Sequence, residues 1–294
     1  MSHSLTSVSL SPKAKRDQSP RTLYDRRRLS QGFPGMDRLA LEKFTATLSL
    51  QPDETPRLET LLSRLDRLVD LGEGKRIAVV GCGPKPQAIR LLVEKKFKVV
   101  GIEPIPLFVA SAREYLVDDS LVLEGMAESM PLPDASQDVV FCDSVLEHVV
   151  SPVKSLAEMY RVLAPGGIAF ITTTNRLRFS AAGRNGEYVY RYFNWLPRLV
   201  KECLVFHHLH YDPTLANYSE FPAVHWFTYA DLCALGRGAG FAQFYSLIDL
   251  LDDSDATMRG SRIKRWMVSR IKYSPWLRAL VLTQRGDSIV MLKR

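Results

Sequence analysis

Short apolar runs alternate with helix-length segments through the middle of the chain. The runs have the length of buried parallel strands and lie near residues 76–80, 97–102, 121–124, 138–142 and 167–174. The segments between them predict helices near residues 84–96, 106–116 and 152–164. This alternation predicts an α/β fold with a parallel, doubly wound sheet and right-handed connections.

Further elements are predicted on both sides of this region. Leucines recur at helical spacing from Leu58 to Leu68 and stop before Gly72, which predicts a helix ahead of the first strand. Thr228 is the predicted N-cap of a later helix, and strands are predicted at 241–249 and 287–292. We therefore divide the chain into an extension over residues 1–55 and one domain over residues 56–294.

Two segments of that domain interrupt the alternation. Residues 176–225 are rich in aromatic side chains and follow the fifth strand, so they should lie over the carboxyl ends of the strands, where open α/β sheets bind ligands. We predict a cap over the substrate, with a subsidiary core or an oligomer contact as the alternative. Residues 251–286 contain a predicted helix with an apolar stripe and basic flanks, which either lies on an anionic membrane or packs on the sheet.

Charge and cysteine content narrow the function classes. The 294 residues carry a formal net charge of +7, and basic residues crowd the extension. We predict that it is poorly ordered and solvated; anionic lipid is the alternative partner, and nucleic acid is disfavoured. The four cysteines form no metal-type pairs, no apolar run approaches the roughly 20 residues that span a bilayer, and the amino terminus lacks a secretion signal. We expect a cytoplasmic protein, with peripheral membrane contact as an option.

A glycine turn and an acidic residue indicate a cofactor. Gly81 and Gly83 follow the first strand and let the backbone approach a ligand closely. Glu103 closes the second strand, where a carboxylate can accept hydrogen bonds from both hydroxyls of a ribose. The pair predicts an adenosine-containing cofactor. The third glycine of the dinucleotide pattern is missing, which disfavours NAD.

Three further motifs follow in order: AESMPLPD (127–134), VLEHV (145–149) and RVLAPGG (161–167). With the glycine turn they resemble the class I S-adenosylmethionine-dependent methyltransferases, in the small-molecule, type 11-like branch, over residues 75–175. The resemblance implies a seven-stranded Rossmann-like sheet whose last two strands form an antiparallel hairpin. It also implies that S-adenosylmethionine contacts Gly81, Cys82, Gly83, Glu103, Ala127, Glu128 and Asp143.

Three positions depart from the family pattern. The family usually has an acidic residue in place of Val79, a glycine in place of Lys85 and an aspartate in place of Met126. We predict that Lys85 compensates by meeting the cofactor's carboxylate, since Pro84 and Pro86 remove amide donors from the following helix; a solvent-facing lysine is the alternative.

Two histidines are candidates for the general base that an acceptor losing a proton would need. His148 follows the fourth strand and is the first choice, and His225 is the second; a structural role is the alternative for each. A metal site is another possibility to consider, because potential ligands cluster at His207, His208, His210 and Asp212. Adjacent histidines diverge on a helix or a strand, so we predict no metal.

These observations predict an S-adenosylmethionine-dependent methyltransferase acting on a small or lipid-linked organic acceptor, with oxygen as the target atom. An NAD-dependent Rossmann enzyme is one alternative, disfavoured by the missing glycine. A non-catalytic binding module with the methyltransferase fold is the other, and the departures at Val79, Lys85 and Met126 favour it.

Overall fold

The computed structural model describes residues 55–179, 184–185, 188–190, 192–209, 221–252, 255, 258 and 260–294. The predicted extension lies outside this part of the chain, apart from Thr55 at its end. Its predicted character therefore stays a prediction.

Seven strands form one mixed sheet, and two more form a separate hairpin. In chain order the strands are β1 (Arg76–Val80), β2 (Lys98–Glu103), β3 (Val122–Glu124), β4 (Gln137–Asp143), β5 (Leu163–Thr172), β6 (Arg184–Asn185), β7 (Tyr188–Val189), β8 (Gln243–Ser246) and β9 (Ser288–Leu292). The sheet order is β3-β2-β1-β4-β5-β9-β8, and β6 pairs with β7. Strands β1 to β5 are parallel, whereas β9 runs antiparallel to both of its neighbours. The predicted doubly wound sheet with an antiparallel C-terminal hairpin is confirmed.

Helices cover both faces of the sheet, which explains why its strands are apolar on both sides. In chain order they are α1 (Thr55–Leu65), α2 (Gln87–Glu94), α3 (Pro106–Leu116), α4 (Pro152–Val162), α5 (Arg198–His207), α6 (Tyr229–Ala239), α7 (Arg262–Tyr273) and α8 (Pro275–Arg285). Side chains of α4 and α6 share one core cluster with Ala78 and Val80 of β1. Side chains of α1, α2 and α3 share the opposite cluster with Ile77.

Several element boundaries differ from the sequence prediction. Strand β5 begins at Leu163 instead of 167, because the Pro-Gly-Gly run forms an irregularity within the strand: the register with β4 jumps from Gln137↔Leu163 to Val139↔Ile168. Strand β8 ends at Ser246, whose amide and hydroxyl both donate to the Asp249 carboxylate in a turn.

The helix predictions also need correction. Helix α1 ends at Leu65, so Leu68, the last leucine of the predicted helical repeat, lies in a turn. The segment 251–286 holds two helices instead of one, because Pro275 has no amide hydrogen and a new helix begins there.

The described part of the insertion 176–225 has a core of its own. This third cluster joins Tyr188, Phe193 and helix α5 to Val224 and Trp226. It agrees with a subsidiary core, and the predicted role as a cap over the substrate stays a prediction. Within the described residues, no helix has the length and apolar content needed to cross a bilayer.

Candidate functional site

Polar groups from four strands meet at the carboxyl edge of the sheet. The β1–β2 half of this site comprises the turn Gly81–Gly83 and Glu103, which follow or end β1 and β2. The β4–β5 half comprises residues 143–148, 172–173 and 221–227. Parallel strands with neighbouring ends place both halves at one edge, the usual ligand position of such sheets.

Both glycines of the turn adopt a left-handed backbone, with φ of 66° at Gly81 and 68° at Gly83. The Gly81 and Cys82 amides donate to the Ile102 carbonyl at 2.7 and 3.3 Å, so the turn is bonded to β2. A Cβ on Gly81 would lie 2.3 Å from Val145 Cγ2, whereas one on Gly83 would meet nothing within 4 Å. Packing therefore requires a glycine at 81, and the space beside Gly83 is open to a ligand.

Glu103 is a buried carboxylate held by backbone amides. It is 4% exposed, and its Oε2 accepts from the Gly83 amide at 3.0 Å while Oε1 accepts from the Ile105 amide at 3.2 Å. These bonds fix its direction beside the open space at Gly83. Burial and the charge of Glu103 raise the pKa of the Cys82 thiol, so that thiol stays neutral and is unsuited to nucleophilic chemistry.

This arrangement fits the adenosine part of the cofactor. A ribose presents two hydroxyl donors, and a fixed carboxylate is a matching acceptor. The open side of Gly83 leaves room for the ligand to approach the backbone. Lys85 is part-buried in the turn between Gly83 and α2. Its predicted contact with the cofactor's carboxylate stays a prediction.

The residues predicted to border the adenine differ from one another in burial and in hydrogen bonding. Ala127 is buried, and Met126 is 40% exposed. The Glu128 Oε1 accepts from the amides of Val150 and Ser151 at 2.8 and 3.1 Å. Glu128 thus fixes the loop that leads into α4, a structural role that its sequence position did not indicate. The adenine contacts predicted for Ala127 and Glu128 stay predictions.

In the β4–β5 half, hydroxyl groups at the end of β5 bind the acidic residues that follow β4. The Asp143 carboxylate is exposed and accepts a hydrogen bond from the Thr172 hydroxyl. The Thr173 hydroxyl donates to Glu147 Oε2 at 2.7 Å, and Glu147 is 2% exposed. Sequence reasoning missed Thr172, Thr173 and Glu147; the polar run at the end of an apolar strand was the available signal. The methionine-side role of Asp143 stays a prediction.

Both candidate histidines bridge the loop after β4 and the segment 221–227. His148 Nδ1 lies 2.6 Å from the Phe221 carbonyl oxygen, and His225 Nε2 lies 2.8 Å from the Val149 carbonyl oxygen. A carbonyl only accepts, so the proton sits on Nδ1 of His148 and on Nε2 of His225. The basic nitrogen of neutral His148 is then Nε2. His148 is partly exposed and His225 is 2% exposed, which makes His148 the more accessible base.

Beside this half, the insertion buries a positive charge. Lys201 on α5 is 2% exposed, and its Nζ lies 4.2 Å from the centroid of the Trp226 ring. Burial, and then the nearby charges of Arg176 and Arg198, lower the pKa of Lys201 to about 8. Sequence reasoning missed Lys201, because its neighbours Arg176, Arg198 and Trp226 come from three separate segments.

Metal-ligating groups do not cluster in the described part of the chain, where no three or more His, Cys, Asp or Glu side chains could hold an ion. His208 is exposed there. The His207 side chain, His210 and Asp212 lie outside the described residues. The absence of a metal therefore stays a prediction.

Comparison with known proteins agrees with this site. A family described as "Methyltransferase domain" matches residues 78–171. A probable S-adenosylmethionine-dependent methyltransferase of Mycolicibacterium smegmatis is 34% identical over 39% of this chain and 44% of its own length. The 27-O-demethylrifamycin SV methyltransferase of Amycolatopsis mediterranei is 38% identical over 39% of this chain and 46% of its own length. The chain thus spans less than half the length of these two relatives.

A third relative is matched over most of its length. The ubiquinone biosynthesis O-methyltransferase of Pseudomonas savastanoi is 31% identical over 55% of this chain and 74% of its own length. The region that matches the family, residues 78–171, includes the glycine turn and Glu103, whose arrangement is described above. The chain belongs to the class I S-adenosylmethionine-dependent methyltransferase family.

Proposed function

We propose that this protein transfers the methyl group of S-adenosylmethionine to an oxygen atom of a small or lipid-linked organic acceptor. The observation that carries the proposal is the β1–β2 half of the site. There the Glu103 carboxylate is fixed by the Gly83 and Ile105 amides, next to an open space that no Cβ fills. Two relatives are named as methyltransferases of oxygen positions, which supports oxygen as the target.

The residues around the site have distinct tasks in this proposal. S-adenosylmethionine supplies an electrophilic methyl group bound to sulfur. Glu103 orients the ribose, so the reacting carbon is held in place for in-line attack. Asp143 lies at the neighbouring strand end, where its exposed carboxylate favours the positive charge of the methionine half.

His148 is the base in this proposal. The hydrogen bond that Nδ1 donates to the Phe221 carbonyl fixes the ring, and in this tautomer Nε2 is the basic nitrogen. An acceptor hydroxyl within hydrogen-bond reach would transfer its proton to Nε2 as the oxygen–carbon bond forms and the carbon–sulfur bond breaks, which would leave S-adenosylhomocysteine. His225 is buried against Val149 and has a positioning role, because it ties the segment 221–227 to the loop that carries His148.

An exposed aromatic group supports an acceptor with a ring or a hydrocarbon chain. Phe179, Tyr192 and Trp195 are 51%, 53% and 66% exposed. The Phe179 ring centroid lies 6.2 Å from that of Tyr192 and 5.8 Å from that of Trp195. These rings belong to the insertion that follows β5, and their faces are suited to stacking on an apolar acceptor.

Formation of S-adenosylhomocysteine tests the proposal. The protein is incubated with S-adenosylmethionine and a panel of phenols, each paired with its methoxy analogue as a matched control. We expect turnover with at least one phenol and none with its analogue, and calorimetric binding of S-adenosylmethionine but not of NAD. Binding of S-adenosylmethionine with no turnover across the panel would favour the non-catalytic module, and binding of NAD alone would favour a Rossmann oxidoreductase.

A further inference from the structure

Helices α7 and α8 carry large apolar side chains on their surface. Of the predicted stripe, Ile263, Trp266 and Met267 are exposed and Ile271 is part-buried. Both helices are described in full, and none of their residues is buried. The large exposed apolar side chains are Ile263 (73%), Trp266 (61%), Met267 (50%), Tyr273 (86%), Trp276 (71%) and Leu280 (54%). The alternative that this stripe packs on the sheet is therefore wrong for these side chains.

The charge of the same two helices is uniform. Residues 256–286 contain no Asp or Glu. The helices carry seven basic residues, which are Arg262, Lys264, Arg265, Arg270, Lys272, Arg278 and Arg285. Arg262, Lys264, Arg270 and Arg285 are exposed. Exposed tryptophans and tyrosine next to basic side chains are the composition of a surface that lies in the interface of an anionic bilayer.

The helix pair is fixed to the rim of the site. The Arg278 guanidinium binds Asp249 at 2.7 Å, and Lys272 donates to the Leu251 carbonyl. Asn175 Nδ2 donates to the Thr283 carbonyl at 3.1 Å. Asn175 lies three residues beyond Thr172, whose hydroxyl binds Asp143. A surface that contacts α7 and α8 would therefore adjoin the β4–β5 half of the site.

We propose that α7 and α8 dock this protein on anionic phospholipid bilayers, with the site opening beside the membrane. The positive charge of the helix pair favours an anionic bilayer over a second copy of the chain, because a second copy would present the same basic surface and be repelled. Anionic headgroups attract the arginines and lysines while the indole and phenol rings enter the interface. The part of the proposal that concerns acceptor delivery rests on the proposed function, whereas the docking itself does not.

Vesicle sedimentation tests the docking with the full chain. We use vesicles of phosphatidylcholine with 30% phosphatidylserine, and pure phosphatidylcholine vesicles, each at low and high salt. We expect binding to the anionic vesicles only, and its loss at high salt because screening weakens the attraction. Binding to neither kind of vesicle, or equal binding to both, would overturn the proposal.

Three double variants locate the surface, two on the helix pair and one control elsewhere. Arg262→Glu with Lys264→Glu should reduce binding at least tenfold. Lys98→Glu with Lys154→Glu makes the same charge change at exposed positions elsewhere and should leave most binding intact. Trp266→Ser with Trp276→Ser should also reduce binding at least tenfold. If both helix-pair variants bind vesicles as well as the wild type does, another region, such as the basic extension, is responsible for vesicle binding. That result would reject the proposal.

A second readout separates docking from the proposed function. Affinity for S-adenosylmethionine is measured for each variant without vesicles, and it should equal that of the wild type because α7 and α8 supply no predicted cofactor contact. Loss of vesicle binding with intact cofactor affinity supports docking, whatever the acceptor is. Loss of both would mean that the helix pair is needed for the fold and would contradict a separate docking surface.

Discussion

The two halves of the site treat buried charge differently. In the β1–β2 half, Glu103 is 4% exposed and receives hydrogen bonds from two backbone amides. Beside the β4–β5 half, Lys201 is 2% exposed and lies against the Trp226 ring, with Arg176 and Arg198 nearby. Burial without matched partners destabilises a charge, whereas amide donors offset it. The β1–β2 half holds its buried charge with backbone amide donors, whereas the Lys201 ammonium beside the β4–β5 half lies against the Phe193 and Trp226 rings and has a lowered pKa.

The largest expected effect concerns the base in the β4–β5 half. His148→Asn keeps an amide donor for the Phe221 carbonyl and removes the titratable ring. We expect turnover to fall by about 10²- to 10⁴-fold with unchanged affinity for S-adenosylmethionine, because general bases contribute in that range. Initial rates of S-adenosylhomocysteine formation across pH 5–9 measure it.

His225→Gln is the matched comparison, because its side-chain amide can still donate to the Val149 carbonyl. We expect a smaller loss of turnover and a pH profile like that of the wild type. If His148→Asn keeps full turnover, the β4–β5 half has no base at this position and the assignment fails.

The next effect concerns the contact between Gly81 and Val145, which joins the two halves of the site. Gly81→Ala places a Cβ against Val145 Cγ2, and it also puts an alanine in a left-handed backbone conformation that residues with a Cβ rarely adopt. We expect it to lower the free energy of unfolding by about 3 kcal/mol, the sum of conformational strain and overpacking. Urea denaturation measures it.

Gly83→Ala is the control for Gly81→Ala, since it shares the backbone conformation but has open space around the Cβ. It should lower the free energy of unfolding by only about 1 kcal/mol. Adding Val145→Ala should recover part of the Gly81→Ala loss. Equal losses for the two glycine variants would show that the contact with Val145 is unimportant.

Lys201 provides a pH test of the buried charge. At pH 7 both the folded and the unfolded protein carry its proton, so the penalty of burial is fully present. Between pH 8 and 10.5 the folded state loses the proton first, so the group's contribution to stability rises with pH, by up to about 3 kcal/mol. Lys201→Met should therefore be more stable than the wild type at pH 7, by about 2 kcal/mol.

This advantage of Lys201→Met should shrink as the pH rises from 8 towards 10.5, the ordinary pKa of lysine. Urea denaturation of both proteins at several pH values measures it. Lys154→Met, at an exposed position, should show no such trend. A stability difference that does not depend on pH would contradict the lowered pKa.

The smallest expected effect concerns Lys85 in the β1–β2 half. If its ammonium meets the cofactor's carboxylate, Lys85→Met should weaken the binding of S-adenosylhomocysteine by about tenfold and leave adenosine binding unchanged. Lys98→Met is the control for loss of charge, since Lys98 is exposed at the start of β2. An equal loss of affinity for both ligands would reject the carboxylate contact.

The sequence predicted the β1–β2 half more fully than the β4–β5 half, for a physical reason. Gly81, Gly83 and Glu103 lie within one βαβ unit, so short-range pattern and strand order place them together. His148 and Phe221 are 73 residues apart, and Thr173, at the end of β5, donates to Glu147, which follows the neighbouring strand β4. The His148–Phe221 contact depends on how the insertion folds back, which periodicity does not encode. The Thr173–Glu147 contact joins the ends of the paired strands β4 and β5, and no sequence pattern marked these two side chains as partners.

Helix α7 shows the same limit. Its amphipathic pattern predicted a helix correctly, but the like pattern of α4 buries Leu156, Met159 and Val162 against the sheet. Periodicity alone does not separate a covered stripe from an exposed one. The run of residues without acidic side chains was the signal that distinguished α7.

The most direct test of the account is a calorimetric titration of S-adenosylmethionine into the wild type and Glu103→Ala. We predict one site in the wild type and an affinity at least about tenfold lower in the variant, because hydrogen bonds to a charged acceptor contribute about 1.5–3 kcal/mol. Circular dichroism should show that the variant is folded. An unchanged dissociation constant in folded Glu103→Ala, or no binding by the wild type, would contradict the assignment of the β1–β2 half as the cofactor site.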